Sequence, residues 1–478
     1  MLRTKKIGIA LLTGAVAGAV LLAPTGPAAA APGDWTQLSQ TSSANRYPEI
    51  SNITEPTMAR FGDTLQVLWS QHQSSSKEAY FTAILNGGGQ VTTPAQQAFP
   101  EWDGLTKNPT LMSLGGQRFL SFSGLNPGRT GAQYFATSPD GLAWTVSNGS
   151  MSETQVAYAG YGSDAIDNAG TPVWVGNAGS TSGIRWHVGT SDANPAPAGS
   201  DQKFDLSGCC AYNAAAARDQ ATGTVWASFY SNSSATSENG IQVGQIIPAG
   251  AWAQAPGSTQ IQDGAASSSD PDQTVAMAAR AGGGVYVAYK LGYPSPKAIR
   301  LLRVDTGATL DVPVSGNVRS VSMGADPAGR IWLSWIQGDR IRAVHTNRAG
   351  TALGAIGLWG APARTSNLWK TATSGSAAGA DVVVTATTSS AINAWHTQVL
   401  RTLSIQGAPA SVRRGTKVVF TVTDAGDPVS GATVKFAGQT ATTNASGRAE
   451  VQSSGHGRKT ATAKKSGYNA GATSIKVR

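Results

Sequence analysis

The stretch Ile331–Ile336, IWLSWI, decides the fold, because six variants of it recur along the 478-residue chain. The other copies begin at Val67, Phe119, Val173, Val225, Val285 and Val382, about fifty residues apart. Each copy is rich in β-branched and aromatic residues, and a second such run follows after a polar gap, as in antiparallel strands. One unit cannot bury both faces of its sheet, whereas several can pack around an axis. The pattern predicts an all-β, seven-bladed β-propeller over residues 31–400, or alternatively six blades with an edge sheet.

The recurring aromatic residues have a structural explanation. Trp174, Trp226, Tyr286 and Trp332 follow the first β-branched residue of their copies, which predicts that they pack between blades. The segment at 35–50 precedes the first copy and could supply an outer strand that closes the ring with the seventh copy.

The N-terminus has the pattern of a secretory signal over residues 1–30. Arg3, Lys5 and Lys6 precede the apolar run IGIALLTGAVAGAVLLA, and small residues follow at Ala28 and Ala30. A membrane anchor is the alternative, but Thr13 and three glycines interrupt the run. The sequence predicts a protein that is secreted, extracellular or associated with the cell envelope, and that does not insert into a membrane.

Charge divides the mature chain into two parts. Residues 32–400 contain 21 basic and 24 acidic residues, whereas residues 401–478 contain 12 basic and 3 acidic ones. The basic segment should attract polyanions, such as a phosphate-rich wall polymer, or an acidic protein surface. Alternatively, its charge only keeps a small domain solvated.

Residues 401–478 also differ in pattern, with short alternating strands and no copy of the repeat. The motifs are DAGDPVSGATV at 424–434, TNASGRA at 443–449 and KSGY at 465–468. They resemble bacterial immunoglobulin-like modules, and the resemblance implies a small β-sandwich that serves as a spacer or surface module.

The clearest local motif is SPDGLAW at Ser138–Trp144. It resembles the Asp-box of sialidase-like propellers, with one residue fewer before the glycine. The resemblance implies that Asp140 satisfies the amides of a hairpin turn, that Trp144 packs beneath it, and that neither is catalytic.

Sialidases supply the enzymatic alternative. In that family an early Arg-Ile-Pro motif provides an arginine for the substrate carboxylate, and here NRYPEI offers Arg46, with Glu49 and Glu55 after it. The alternative therefore names Arg46, Glu49 and Glu55 as catalytic residues, whereas the main prediction names none.

The only two cysteines, Cys209 and Cys210, are adjacent, and in an oxidising compartment this predicts a vicinal disulfide. The disulfide could staple a loop or contact a ligand. Structural zinc needs about four ligands, and the five histidines are scattered, so we predict no metal and no cofactor. His187, His345 and His396 lie in second-strand runs, which favours structural roles.

Four tryptophans lie outside the repeated phrase, in polar stretches rich in turn residues. Such side chains suit sugar faces when polar groups lie beside them, although they could instead cover blade interfaces. The predicted ligand-binding residues are Trp102, Asp103, Trp252, Trp359 and Trp369.

Together these features predict a secreted, non-catalytic propeller that binds carbohydrate in a lectin-like manner, or a partner protein, at the bacterial cell surface. The secretion signal, propeller pattern and Ala/Gly-rich composition are similar to those of propeller lectins, including lectin-like subunits of secreted antibacterial toxin particles of actinobacteria. The expected partners are a glycan or cell-surface polymer and another secreted subunit, and not nucleic acid. A sialidase-type exo-glycosidase and a protein-interaction scaffold without a sugar site are the alternatives, and the sequence favours a non-enzymatic protein.

Overall fold

The computed structural model describes residues 33–39, 56–72, 78–98, 104–125, 132–146, 163–177, 183–189, 202–208, 211–233, 235–258, 275–292, 295–388 and 391–478. Across this part of the chain the regular structure consists of β-strands, with one short 3-10 helix at Thr236–Glu238. Seven four-stranded antiparallel sheets surround a common axis, and two further sheets follow. The prediction of an all-β protein with a β-propeller is confirmed.

The first three sheets follow one another along the chain, after a short strand β1 (Thr36–Gln37). Sheet 1 contains β2 (Thr57–Phe61), β3 (Thr64–His72), β4 (Glu78–Leu85) and β5 (Val91–Gln97). Sheet 2 contains β6 (Gly104–Leu114), β7 (Gln117–Leu125), β8 (Ala132–Ser138) and β9 (Thr145–Val146). Sheet 3 contains β10 (Ser163–Asn168), β11 (Thr171–Asn177), β12 (Gly183–Val188) and β13 (Gln202–Asp205).

The next four sheets repeat this order. Sheet 4 contains β14 (Ala211–Arg218), β15 (Val225–Asn232), β16 (Asn239–Ile247) and β17 (Ala249–Gln254). Sheet 5 contains β18 (Ala276–Ala279), β19 (Val285–Leu291), β20 (Ala298–Arg303) and β21 (Thr309–Pro313). Sheet 6 contains β22 (Val318–Ala325), β23 (Ile331–Gln337), β24 (Arg340–His345) and β25 (Gly357–Gly360). Sheet 7 contains β26 (Thr365–Gly375), β27 (Gly379–Thr388), β28 (Ala391–Thr402) and β1.

The first strands of the seven sheets line the axis. Each contacts the first strand of the next sheet, and β26 contacts β2, so the sheets form a closed ring. The repeated phrase is the second strand of every sheet, and the run after it is the third. The repeat therefore corresponds to the two middle strands of each sheet, whose faces are both covered by neighbouring sheets.

Packing between neighbouring sheets explains the recurring aromatics. Trp174 and Trp332 are 1% exposed and Tyr286 is 2% exposed, while Trp226 is partly buried against the core between sheets 4 and 5. The prediction that these residues pack between sheets is confirmed. Burial of a large apolar side chain contributes about 1.5–3 kcal/mol, so the phrase stabilises the ring.

The two ends of the ring are joined by backbone and side chains. In sheet 7, β1 pairs with β28, and Thr36 lies opposite His396. Asp381 of β27 accepts hydrogen bonds or ion pairs from Arg60 of sheet 1 and from His396, whose Nε2 lies 2.8 Å from Oδ1. The segment before the first repeat thus closes the last sheet.

The C-terminal residues form a separate two-sheet sandwich. One sheet contains β29 (Ser404–Ala408), β31 (Lys417–Asp424), β32 (Asp427–Pro428) and β35 (Arg448–Gln452). The other contains β30 (Ser411–Val412), β38 (Gly471–Val477), β36 (Gly457–Lys464), β33 (Thr433–Phe436) and β34 (Gln439–Thr442). Phe420 and Phe436, with ring centroids 5.1 Å apart, lie in the core between them. A short strand β37 (Tyr468–Asn469) pairs with the end of β28 and ties the sandwich to sheet 7.

Candidate active site

A cavity of about 240 Å³ lies at the centre of the ring. All seven first strands contribute to its wall, which includes Thr57, Thr110, Asp164, Asn213, Met277, Ser322 and Thr373. Pockets for drug-sized ligands measure about 300–1,000 Å³, so this cavity suits one small unit, such as a single sugar ring.

Asp164 of β10 is the acidic residue of this wall among the described residues. Its Oδ1 accepts hydrogen bonds from Thr110 Oγ1 at 2.7 Å and from the Ala165 amide at 2.8 Å. Its Oδ2 accepts one from the Ala216 amide at 2.9 Å. Thr110 belongs to sheet 2 and Ala216 to sheet 4, so the carboxylate of sheet 3 is fixed from both sides.

The repeat places Asp164 at a position shared by all seven sheets. Asp164 lies nine residues before Val173, and counterparts lie nine residues before every other copy of the phrase. These counterparts are Met58, Thr110, Ala216, Ala276, Ser322 and Thr373. Of the seven positions, six line the cavity and one carries a charge. Sequence reasoning missed Asp164 because it followed the second and third strands, although aligning the copies nine residues upstream would have revealed it.

Irregular strands shape the wall. β6 shifts register between Thr106 and Thr110, and β14 shifts between Tyr212 and Ala215. Within the second bulge Asn213 has φ +52°, a left-handed conformation that Asn tolerates better than most residues. Bulges re-aim side chains and are frequent beside functional sites, and these two flank Asp164 on its neighbouring strands.

The wall contains both polar and apolar side chains, and apolar ones predominate on sheets 5 and 6. Thr57, Thr110 and Asp164 lie on sheets 1 to 3, whereas Val275, Met277, Val321 and Met323 lie on or beside the first strands of sheets 5 and 6. A sugar ring offers hydroxyl groups at its edge and C–H groups on its faces, and a wall of this kind can contact both.

Several predicted site residues lie outside the described residues. These are Arg46, Glu49, Glu55, Trp102, Asp103, Cys209 and Cys210. Their assignment as catalytic residues, ligand contacts or a disulfide stays a prediction.

The three described tryptophans of the predicted ligand site lie on three different sheets, and the cavity wall does not include them. Trp252 stacks on Phe204, with centroids 4.9 Å apart, at the outer strands of sheets 3 and 4. Trp359 is partly buried against the core between sheets 6 and 7. Trp369 is 7% exposed, and its Nε1 donates to Thr387 Oγ1 at 2.6 Å. Their role in ligand binding stays a prediction.

The turn that resembles an Asp-box connects β8 with β9. Asp140 Oδ1 accepts hydrogen bonds from the amides of Leu142 and Ala143, at 2.8 and 3.1 Å, and these bonds lower the pKa of Asp140. Trp144 Nε1 donates to the Gly141 carbonyl at 3.0 Å, and its ring packs against the core between sheets 1 and 2. Asp140 lies outside the cavity wall and organises the turn.

A second carboxylate fixes the connection between sheets 3 and 4. Glu238 accepts hydrogen bonds from Ser207 Oγ at 2.6 Å, from the Ser207 amide at 2.8 Å and from Ser233 Oγ at 3.0 Å. The Ser207 hydroxyl is the main cause that lowers the pKa of Glu238. Glu238 therefore holds the segment that leads to Cys209.

Neither a metal cluster nor a membrane-spanning helix is found among the described residues. They contain no group of three or more His, Cys, Asp or Glu side chains arranged to hold a metal ion. They also contain no helix that is long and apolar enough to cross a membrane.

Solved structures that the chain resembles include several hydrolases. A thermostable family-43 glycoside hydrolase has 11% identity and a TM-score of 0.36, over 56% of this chain and 94% of that chain. A native Bacillus subtilis arabinanase has 9% identity and a TM-score of 0.29, over 72% and 93%. A Mycobacterium tuberculosis puromycin-hydrolyzing peptidase has 12% identity and a TM-score of 0.42, over 90% and 61%. The chain matches no family model, and no curated protein matches it in sequence.

These comparisons correct the functional prediction. The sequence predicted a non-catalytic, lectin-like or protein-binding propeller and favoured a non-enzymatic protein, whereas several of the similar structures are glycoside hydrolases, so neither prediction is retained. The physical reason is that the repeat reports the covered middle strands, whereas the cavity residues lie on first strands without a recognisable motif. At such identities the likeness concerns the fold, so the activity must be argued from the chain's own residues.

Proposed function

We propose that the chain is a glycoside hydrolase whose active site is the central cavity, and that Asp164 is one of its two catalytic carboxylates. The observation that carries the proposal is the single charge among seven equivalent positions, at Asp164. A ring held only by packing needs no carboxylate at its axis, because burying a charge costs free energy unless hydrogen bonds compensate.

The contacts of Asp164 suit a role in catalysis. Glycoside hydrolysis passes through a transition state that resembles an oxocarbenium cation, and a fixed carboxylate stabilises that positive charge. Thr110 and Ala216 hold the two carboxylate oxygens from neighbouring sheets. Asp164 would act as the base or the nucleophile, while a second carboxylic acid protonates the leaving oxygen. Water supplies the hydroxyl group on the anomeric carbon.

Glu55 is the candidate for the second carboxyl group. It precedes Pro56 in the sequence, and Pro56 lines the cavity. Arg46, nine residues before Glu55, is the sialidase-type candidate to contact an acidic substituent of the substrate, and Glu49, six residues before Glu55, is a further candidate catalytic carboxylate of that type.

We propose further that the seven sheets are seven blades of one propeller, and that the C-terminal sandwich is a bacterial immunoglobulin-like module. The closed series of first-strand contacts, including β26 with β2, supports the blade number. The positively charged N-terminus and apolar run support secretion of the mature chain.

The test is hydrolysis of a panel of aryl glycosides and arabinan by the full mature chain, with Asp164→Asn as the main variant. We expect kcat to fall about 10²–10⁴-fold, and Glu55→Gln to remove one limb of a bell-shaped pH profile. Asp219→Asn is the matched control: Asp219 is 4% exposed and accepts the Gly284 amide of the next sheet at 3.0 Å, but it lies outside the cavity wall. It should retain wild-type kcat.

Two outcomes would overturn the proposal. One is an absence of hydrolysis across the panel. The other is an equal loss of activity in Asp164→Asn and Asp219→Asn at an equal loss of stability, which would show that Asp164 only joins sheets.

A further inference from the structure

The sandwich has one face whose ionisable side chains are all basic. On the sheet of β30, β38, β36, β33 and β34, alternate residues point into the core and the others point outward. The outward set includes Lys435, Arg458, Lys464 and Lys476, all exposed. We call these four residues the cationic face.

No acidic residue of the sandwich lies on this face. The sandwich, all of which the structure describes, contains three acidic residues. Asp424 and Asp427 contact Arg330 of the propeller. Glu450 lies on the other sheet, 3.1 Å from Lys417. The three acidic side chains of the sandwich therefore lie at the propeller junction or on the opposite sheet.

The backbone register places two cations of this face directly opposite each other. Arg458 of β36 pairs with Lys476 of β38. Like charges opposite each other in an antiparallel pair destabilise a sheet, so this arrangement costs stability in the free protein. An anion over the pair would reverse the sign of that contribution.

We propose that the cationic face binds a flexible polymer with regularly spaced phosphodiester groups. Arg458 and Lys464 are six residues apart on one strand, which is about 20 Å at 3.3 Å per residue. Lys435 lies between them along the sheet, because its backbone is opposite Thr462. Such a stripe matches successive charges of an extended chain and is too long for one small anion.

The side chains between the cations favour a polymer without bases. Thr460, Thr462 and Ser474 lie on the same face and offer hydroxyl donors. Proteins that bind single-stranded nucleic acids stack bases on aromatic side chains, and the outward positions of β33, β36 and β38 carry none. Three of the four cations are lysines, which bind phosphate as point charges and do not need the fixed two-point geometry that arginine offers to phosphate and carboxylate.

The experiment measures binding of the full chain to immobilised poly(glycerol phosphate) at low and physiological salt. Two double variants each remove two positive charges: Arg458→Gln with Lys476→Gln on the cationic face, and Lys417→Gln with Arg448→Gln on the other sheet. We expect the first to weaken binding about 30-fold, at roughly tenfold per 1.4 kcal/mol and about 1 kcal/mol per cation. The second should change it less than about threefold, because separated surface charges are screened.

Equal weakening by the two double variants would overturn the proposal, since it would show attraction by net charge alone. Equal or tighter binding to polygalacturonate or to single-stranded DNA would also overturn it. Polygalacturonate carries carboxylates in place of phosphodiesters, and single-stranded DNA carries bases. The variant on the cationic face should have a thermal midpoint at or slightly above that of the wild type, because the repulsion between Arg458 and Lys476 is removed. Both variants should keep the hydrolysis proposed for the central cavity, so the two proposals fail separately.

Discussion

Nη2 of Arg330 lies 3.3 Å from Oδ2 of Asp424, and both side chains are 1% exposed. The arginine belongs to the turn before β23 of the propeller, and the aspartate ends β31 of the sandwich. Asp326 lies 3.7 Å from the same guanidinium, and His345 Nε2 lies 3.2 Å from Asp424. Buried ions are costly unless paired, so these contacts couple the sandwich to sheet 6.

Asp424→Ala should therefore destabilise the protein by about 3–5 kcal/mol, because it leaves Arg330 buried beside one fewer carboxylate. Thermal unfolding of the full chain measures the change. Glu450→Ala is the control: it breaks an exposed pair with Lys417 and should cost no more than about 1 kcal/mol. Equal effects of the two variants would contradict a buried junction.

Asp381→Ala should weaken the contact between sheets 7 and 1 and so destabilise the protein. The change leaves Arg60 and the buried His396 without their carboxylate, and we expect a loss of about 3 kcal/mol. Asp305→Ala, which breaks the more exposed pair with Arg303 at 2.8 Å, should cost about 1 kcal/mol or less. A smaller loss at Asp381 than at Asp305, in the free energy of unfolding in urea, would refute this role.

Glu238 predicts a pH dependence. The Ser207 hydroxyl lowers the pKa of Glu238 in the folded state, so its contribution to stability is fully present above the unfolded value of about 4.3. That contribution is lost as the pH falls through the folded pKa. The thermal midpoint of the wild type should exceed that of Glu238→Gln near pH 6, and the difference should shrink below about pH 4.

The control for Glu238→Gln is a variant that loses a carboxylate exposed to solvent. Asp63→Asn, at the exposed turn between β2 and β3, serves this purpose. A wild-type advantage over Glu238→Gln that stays constant from pH 6 to pH 3 would contradict the assignment.

Gly141→Ala should disturb the turn between β8 and β9. Gly141 has φ +84°, and an added Cβ would meet the side-chain amide of the buried Gln66. Strain from the left-handed backbone costs about 1–2 kcal/mol, and displacement of Gln66 adds to it. Gly115→Ala, at φ +58° with no atom within 4 Å of its Cβ, isolates the strain. Equal thermal midpoints for the two variants would rule out the contact with Gln66.

The strand pattern could be predicted because it is local. The second runs that follow the copies at Val67 and Val225 are EAYFTAIL and NGIQVGQII, and they coincide with β4 and β16. Runs of apolar and β-branched residues, or their alternation with polar ones, indicate which faces of a strand are covered, and neighbouring residues suffice to reveal them. The pairing of β1 with the seventh repeat was also accessible, because a ring needs a partner for its last strand.

The polar contacts between distant segments could not be predicted in this way. Arg330 and Asp424 are 94 residues apart in sequence, and nothing in either segment marks the other as a partner. Asp164 has the same difficulty: its neighbours Thr110 and Ala216 lie 54 and 52 residues away. Only superposition of the repeats shows that the three residues occupy equivalent positions. The prediction from tryptophans instead selected residues on outer strands and in sheet interiors.

The strand donated by the N-terminal segment also constrains when the protein can fold. Ser39 Oγ donates to Asn393 Oδ1 at 2.8 Å, across 354 residues of chain. Contacts of such high sequence separation form late and slowly, because the loop-closure entropy comes first. Sheet 7 cannot be completed until β28 has been synthesised, so a chain that stops before residue 391 would keep an unfilled strand edge. The ring therefore closes only when the chain contains all seven sheets.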